Sequence, residues 1–251
     1  MLSTLLSRNF TMQQILAEIM AVLAIVFLIL PFHEWAHAFT ASCLGDKGIK
    51  ARGRLSLNPL SHIDPVGALM MLLIGFGWAK PVPVDPRNFK HPKLGMAITA
   101  VMGPVANVVA ALFGLLVINI VSVTAPDWLY SDGVGSLPLF YQNTPLLFFR
   151  LSSGEIPLTI LGYFLQFYVA VNLSLAVFNL IPIPPLDGSK VLFLFLPDKA
   201  VNFIYRYQFI FFIMLFMLMW RGAFSGVLSL CTNWLLYGLS WLAHLPFAAL
   251  A

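Results

Sequence analysis

The sequence predicts an all-α polytopic membrane protein, and three observations lead to this fold class. Of the 251 residues, 60% are hydrophobic and only 10% are charged, whereas about a quarter of the residues in soluble domains are charged. Several apolar runs approach or exceed the ~20 residues that an α-helix needs to cross a bilayer. These runs are too long and too uninterrupted for barrel strands, so we expect the spanning elements to be helices.

We interpret five apolar runs as membrane spans, at residues 15–32, 94–123, 158–181, 207–220 and 224–245. The first run leads straight into a polar motif and has no small-residue cleavage site, so we expect it to be retained rather than removed as a signal peptide. Shorter apolar runs lie at residues 66–76 and 191–196. A short re-entrant or β-hairpin-like segment is expected around residues 65–90.

The basic residues are unevenly distributed. Eight of the fourteen Lys and Arg residues fall between residues 47 and 93, and the positive-inside rule places that stretch on the cytoplasmic side. The stretch at residues 125–157 carries Asp127, Asp132 and Glu155 against Arg150 alone, so we expect it to lie outside. This topology puts the polar motif near the cytoplasmic end of the first helix.

That motif is His-Glu-x-x-His at residues 33–37. On a helix, His33 and His37 share a face and could direct a ring nitrogen each at one ion, with Glu34 beside them toward bound water. Zinc takes such ligands and keeps one position open for water in catalytic sites. The alternative is that the two imidazoles bond each other or a backbone carbonyl, but burying them in a spanning helix is costly. The motif therefore indicates a metal site that still lacks a ligand.

Asp187 is the candidate for the third ligand. It follows a proline-rich stretch, residues 182–185, which removes backbone donors and ends the preceding helix. Broken helices at membrane depth are tolerated where they line a cavity or are packed in protein. The alternative role for Asp187 is an N-cap on a short helix that begins near Ser189. One Zn²⁺ with ionised Asp187 and Glu34 and two neutral imidazoles has no net charge, which suits an apolar interior.

The motifs together resemble the site-2 protease family, zinc metalloproteases that cut peptide bonds within or near the membrane. HEWAH at 33–37 resembles its zinc-binding motif, GPVAN at 103–107 its Gly-x-x-x-Asn element, and NLIPIPPLDG at 179–188 its Asn-x-x-Pro-x-Pro-x-Leu-Asp-Gly signature. NPLSHIDP at 58–65 and GWAKPVPV at 77–84 look like the compact branch without a PDZ domain. The resemblance covers about residues 30–190 and implies a three-helix catalytic core with flanking transmembrane helices.

We therefore expect one membrane-embedded metalloprotease domain over residues 1–251, with a catalytic core at about 15–195 and C-terminal helices at about 200–248. The outer stretch of 33 residues is shorter than the ~50 residues of a small independent domain. One Zn²⁺ per chain is expected, in a bacterial cell membrane, with the active site toward the cytoplasm. The expected partners are the lipid bilayer and a transmembrane or membrane-remnant peptide substrate. No nucleic acid partner is expected, and the sequence leaves homo-oligomerisation open.

The expected activity is that of an intramembrane zinc endopeptidase. Zinc would lower the pKa of a bound water, and Glu34 would take its proton as general base and return it to the leaving amine. Asn107 shares a helix face with Gly103, and the resemblance implies that its amide stabilises the oxyanion. The alternative role for Asn107 is an interhelical hydrogen bond in the membrane.

Residues 80–84 are interpreted as an extended strand that could capture substrate. Pro81 and Pro83 lack backbone donors on one edge, whereas Val82 and Val84 keep theirs on the other. A strand with one free edge suits the addition of an unwound substrate segment. The alternative is a Pro-rich loop at the membrane surface.

The sequence alone does not exclude other functions. The first is a metal-ion transporter using the same His/Asp cluster, since transporters also place such groups on broken helices; it would have no need of Glu34. The second is a catalytically silent scaffold, against which the intact set of motif residues argues. A membrane zinc protease of another architecture is a lesser alternative, because it would carry a glutamate as third ligand and a soluble catalytic portion.

Overall fold

The computed structural model describes residues 19–20, 23–74, 77–124 and 156–247. Within these ranges the chain is mainly helical, and a π-helical turn, Ile25–Ile29, leads directly into the first named helix. The helices are Leu30–Cys43 (α1), Gly48–Ala51 (α2), Pro65–Ile74 (α3), Pro92–Thr124 (α4), Ile156–Asn179 (α5), Gly188–Leu192 (α6), Asp198–Arg206 (α7), Gln208–Trp220 (α8) and Ser225–His244 (α9).

Two of the described helices, Pro92–Val121 and Ser225–Phe247, are long and apolar enough to cross a membrane. A third span is possible by length and composition if α7 and α8 count as one element, although they are bent by 69°. The all-helical membrane protein predicted from the sequence is confirmed at this level. Part of the predicted first span and nearly all of the predicted outer stretch, including Asp127 and Glu155, lie outside the described residues.

The long helix α4 is the centre of the fold, because it contacts α1, α5, α6 and α9. Where α4, α5 and α9 meet, buried side chains form one cluster, which consists of Ala111, Leu115, Ile118, Leu165, Val169, Leu173, Leu236 and Ala243. Small residues let membrane helices approach closely, and close packing rather than water exclusion drives their association. This cluster holds together α4, which carries Gly103 and Asn107, and α5, which leads to the break before Asp187.

The segment around residues 65–90 differs from the β-hairpin-like expectation, which is not confirmed. Its first half is helix α3, and its β structure among the described residues is a single isolated antiparallel bridge between Ile63 and Ala79. A helix satisfies most backbone groups of an apolar run internally, and the Asp64 carboxylate accepts the N–H groups of Val66 and Gly67 in its first turn. The three prolines between residues 81 and 86 remove donors that a longer ladder would need.

The α4–α5–α9 cluster generates a stability prediction. We expect Leu173→Ala to destabilise the fold by roughly 2–5 kcal/mol, because a fully buried leucine leaves a cavity and Leu173 has no exposed surface. Leu230→Ala on α9 is the matched control, since Leu230 is 58% exposed. Unfolding of both variants by denaturant in the same detergent would measure the difference. If both variants lost the same unfolding free energy, the contact between α4 and α5 would not be a main source of stability.

Candidate metal centre

Helix α1 presents its two histidines to the same point. His33 and His37 lie one turn apart and are both buried. Their Nε2 atoms are 3.0 Å apart, and their rings meet edge to face at an interplanar angle of 86°. The motif therefore has the shared helix face predicted from its spacing.

Asp187 reaches the same point although it lies about 150 residues further along the chain. Its Oδ2 atom lies 3.3 Å from His33 Nε2 and 3.2 Å from His37 Nε2. The proline-rich stretch after α5 breaks the helical path, and Asp187 immediately precedes α6. Its side chain makes no capping hydrogen bond to that helix, so the carboxylate faces the imidazoles instead.

The donor set fits a zinc ion. Ligands at ~2.0–2.1 Å from a tetrahedral ion lie roughly 3.3 Å from one another, close to the separations of 3.0, 3.2 and 3.3 Å found among the three side chains. Two imidazole nitrogens and a carboxylate oxygen are also typical zinc donors. His33, His37 and Asp187 are thus the side chains that could hold the metal, with a fourth position left for water.

The tautomer of His37 follows from its second partner. Its Nδ1 atom lies 2.7 Å from the carbonyl oxygen of Thr99 on α4. A carbonyl can only accept, so Nδ1 carries the hydrogen, and in the neutral ring Nε2 keeps its lone pair toward the metal position. The Thr99 carbonyl thereby orients the ring.

Gly103 on α4 explains how the helices come close enough to form the site. A Cβ atom at this position would overlap the rings of both His33 and His37. Glycine is therefore required by the close approach of α4 to α1. The Gly103-x-x-x-Asn107 motif serves the metal centre through its glycine.

Glu34 projects into the same cavity and has a partner that the sequence did not indicate. Its Oε2 atom accepts a hydrogen bond from the Val82 backbone N–H at 3.1 Å. The Val84 N–H lies 3.0 Å from the Val82 carbonyl. The prediction that Val82 and Val84 keep free donors for a substrate strand is therefore wrong for this structure. The extended segment holds the glutamate instead.

The site opens into a cavity of about 520 Å³. One wall is the extended segment at residues 77–84, and the opposite wall comes from the proline-rich break and α8. Residues of α8 at helical spacing line it, namely Phe212, Leu215, Phe216 and Met219. Lys190 on α6 lines the same cavity, and its Nζ donates to the carbonyl oxygen of Pro185 at 3.0 Å.

Asn107, the predicted oxyanion donor, lies on α4 and is not among the residues that line the cavity. It is fully buried on α4, and neither its Nδ2 nor its Oδ1 atom has a hydrogen-bond partner. The α4 residues that line the cavity are Met96, Thr99 and Ala100. Asn107 lies two turns beyond Thr99, so the structure does not bring it to the cavity wall with Glu34.

Sequence reasoning missed Thr99 and Lys190 as site residues, and it assigned the Val82 N–H to a substrate strand rather than to Glu34. Thr99 and Val82 act through backbone atoms, which leave no side-chain signature. Lys190 had a signal, because a cation three residues after Asp187 in so apolar a chain has to find partners near the break.

An integral membrane protein with two buried histidines, a partly buried aspartate and a glutamate alongside them has the donor set of a metal-dependent hydrolase. The chain belongs to peptidase family M50, whose family model matches residues 20–220. This match confirms the resemblance to the site-2 proteases.

Two relatives are similar over most of this chain. The candidate zinc metalloprotease YwhC of Bacillus subtilis (strain 168) is 36% identical over 170 residues, which are 67% of this chain and 66% of YwhC. The candidate zinc metalloprotease Rip2 of Mycolicibacterium smegmatis (strain ATCC 700084 / mc(2)155) is 29% identical over 165 residues, 64% of this chain and 51% of Rip2. The chain thus spans between half and two thirds of these relatives' lengths. No solved structure matches it.

The contact at Gly103 generates a prediction about the metal. We expect Gly103→Ala to push the two imidazoles out of register and lower the zinc retained after purification, because its methyl group would occupy the ring positions. Gly238→Ala is the matched control, since a Cβ there meets nothing within 4 Å. Zinc per chain by elemental analysis measures both variants. Full zinc occupancy in Gly103→Ala would contradict this account of the helix approach.

Proposed function

We propose that this chain is an intramembrane zinc endopeptidase that hydrolyses peptide bonds within or near the transmembrane segments of membrane proteins. The single observation that carries the proposal is the convergence of His33, His37 and Asp187 beside Glu34 in one cavity. The catalytic core would consist of α1, α4 and the α5–α6 break within a single membrane-embedded domain. Membership of family M50 supports this assignment.

Each donor has a defined task in the proposal. His33, His37 and Asp187 would hold one zinc ion. When bound, zinc supplies a Lewis acid that polarises the substrate carbonyl and makes water more acidic. The Thr99 carbonyl keeps His37 in the tautomer that can ligate.

Glu34 would move the protons of the reaction. Its carboxylate accepts the proton of the attacking water and then delivers it to the leaving amine. The hydrogen bond from Val82 N–H engages Oε2, which fixes the carboxylate while its other oxygen can take the proton. A base held in this way needs no reorganisation when the water reacts.

The cavity walls suit an apolar, unwound peptide. Most of the lining side chains are aliphatic, aromatic or proline. A helical substrate has its peptide bonds shielded by internal hydrogen bonds, so the scissile part has to leave the helix before it can reach Glu34. The basic loops at residues 47–54 and 87–93 support a site that faces the cytoplasm. The metal-ion transporter considered from the sequence has no support in the family or the relatives.

The proposed roles of Glu34 as general base and Asp187 as metal ligand can be tested separately. We expect Glu34→Gln to retain zinc and lose cleavage of a membrane-spanning peptide by at least about 10²-fold, because the amide cannot act as a base. Asp187→Ala should lose both zinc and cleavage, since it removes one of three protein ligands. Zinc content and peptide hydrolysis of the purified proteins measure both effects. Metal flux into liposomes that survives Glu34→Gln would contradict the protease and favour a transporter.

The oxyanion role of Asn107 is part of the proposal and is supported by its unpaired amide one turn from Gly103. Asn107→Leu separates this role from a structural one. Replacing a buried, unpaired amide by an apolar group of similar size should be neutral or stabilising, so the variant should fold. If the amide serves the oxyanion, kcat should fall about 10²- to 10³-fold. A stable Asn107→Leu protein with parental kcat would remove Asn107 from the mechanism.

A further inference from the structure

Asp46 is a fully buried carboxylate outside the metal centre, and the proposed function gives it no task. It has no exposed surface and lies in the turn between α1 and α2. Burying a carboxylate is expensive unless its oxygens are hydrogen-bonded and its charge is paired. Its partners therefore indicate what this charge stabilises.

Both Asp46 oxygens reach the segment that follows the cavity wall. Oδ2 accepts the Asp85 backbone N–H at 2.9 Å. Oδ1 accepts the Asn88 Nδ2 group at 2.8 Å and the Gly48 N–H at 3.2 Å. Asp46 thus fastens residues 85–88 to the end of the helix that carries His33 and Glu34.

Arg52, the residue that follows α2, also holds the extended segment. Its guanidinium lies 3.6 Å from Asp46 Oδ2, and it donates to the Pro83 carbonyl oxygen at 2.8 Å. The aspartate and the arginine therefore hold backbone groups on either side of Val84 in the same extended segment, the Pro83 carbonyl and the Asp85 N–H. Arg52 is about half exposed, so it can be changed with little effect on the core.

The packing around these bonds leaves the segment little freedom. The Val82 and Val84 side chains pack against a buried cluster, which consists of Ala38, Ala41, Ile49 and Phe89. At Gly45, φ is 121° and an added Cβ would lie 2.8 Å from the Asn88 carbonyl oxygen. The Asp46 turn therefore contacts residue 88 directly. Residues 82–88 are held by the buried cluster and by the hydrogen bonds to Asp46.

We propose that Asp46, assisted by Arg52, is a positioning residue for the general base: it fixes residues 82–85 so that the Val82 N–H meets the Glu34 carboxylate. The inference rests on the proposed function. Asp46 touches neither the metal donors nor the cavity. It acts through the backbone of residues 83–85, one to three residues from the N–H that binds Glu34.

Asp46→Asn tests the proposal because an amide offers one acceptor oxygen where the carboxylate offers two. The Asp46 carboxylate accepts from Asp85 N–H, Asn88 Nδ2 and Gly48 N–H. An amide cannot accept all three donors, so at least one of these bonds is lost, and the rest lose the strength of an ionised acceptor. We expect kcat for a membrane-spanning peptide to fall about tenfold to a hundredfold, the effect of a misplaced catalytic group. Zinc content should stay at the parental level, because none of the metal donors changes. KM should change less than kcat, because residues 82–84 form only part of the cavity wall.

Hydrogen exchange provides a readout that does not depend on activity. Amides of residues 82–88 should exchange faster in Asp46→Asn, while those of α4 stay protected. Arg87→Gln is the control, because Arg87 forms an exposed pair with the Asp85 carboxylate at 2.8 Å and lowers the pKa of Asp85 to about 2 through these hydrogen bonds. Losing that surface pair should leave both kcat and exchange unchanged.

Arg52 supplies a second test should Asp46→Asn fail to fold. Arg52→Met removes the donor to Pro83 and should lower kcat by a larger factor than it changes KM, and Arg52→Lys should restore part of the loss in kcat. An Asp46→Asn or Arg52→Met protein with parental kcat, or with unchanged exchange at residues 82–88, would overturn the positioning role. A zinc-loaded parent that cleaves no peptide would instead overturn the proposed function itself.

Discussion

The constraint on which the structure depends is that charged and polar groups in an apolar protein must meet their partners within a few ångströms. His33, His37 and Asp187 satisfy it at one point, with nitrogen and oxygen atoms 3.0 to 3.3 Å apart. They can do so only if α1, α4 and the α5–α6 break come together. The glycine at position 103 allows that approach, because no side chain fits between α4 and the two imidazoles.

The helix break follows from the same constraint. The prolines at 182, 184 and 185 interrupt the helical path between α5 and α6, and Asp187 follows them immediately before α6. An interrupted backbone needs new partners in an apolar medium. Lys190 supplies one by donating to the Pro185 carbonyl, and the short helix α6 packs on α4. The helix break therefore belongs to the metal site, because it carries Asp187 to the two histidines.

The sequence predicted the helical membrane fold and the meeting of His33, His37 and Asp187, because periodicity, hydropathy and the cost of buried charge all depend on side-chain identity. It did not predict what depends on backbone atoms. Every residue has a backbone carbonyl and every residue except proline has a backbone N–H, so the side-chain sequence does not reveal the roles of the Thr99 carbonyl and the Val82 N–H. The β-hairpin-like expectation at residues 65–90 overlooked that an apolar run as long as ten residues can satisfy its backbone bonds alone as a helix.

In the extended segment, the Val82 N–H can bind either Glu34 or a substrate strand, but not both. The Val82 N–H has a single hydrogen, which goes to Glu34. A substrate strand pairing at this residue would have to displace a carboxylate, and hydrogen bonds to ionised acceptors are roughly twice as strong as neutral ones. The proline positions that suggested an edge for substrate have another effect here: Pro81 and Pro83 leave Val82 as the donor between them. The segment is therefore better suited to holding the glutamate than to capturing a strand.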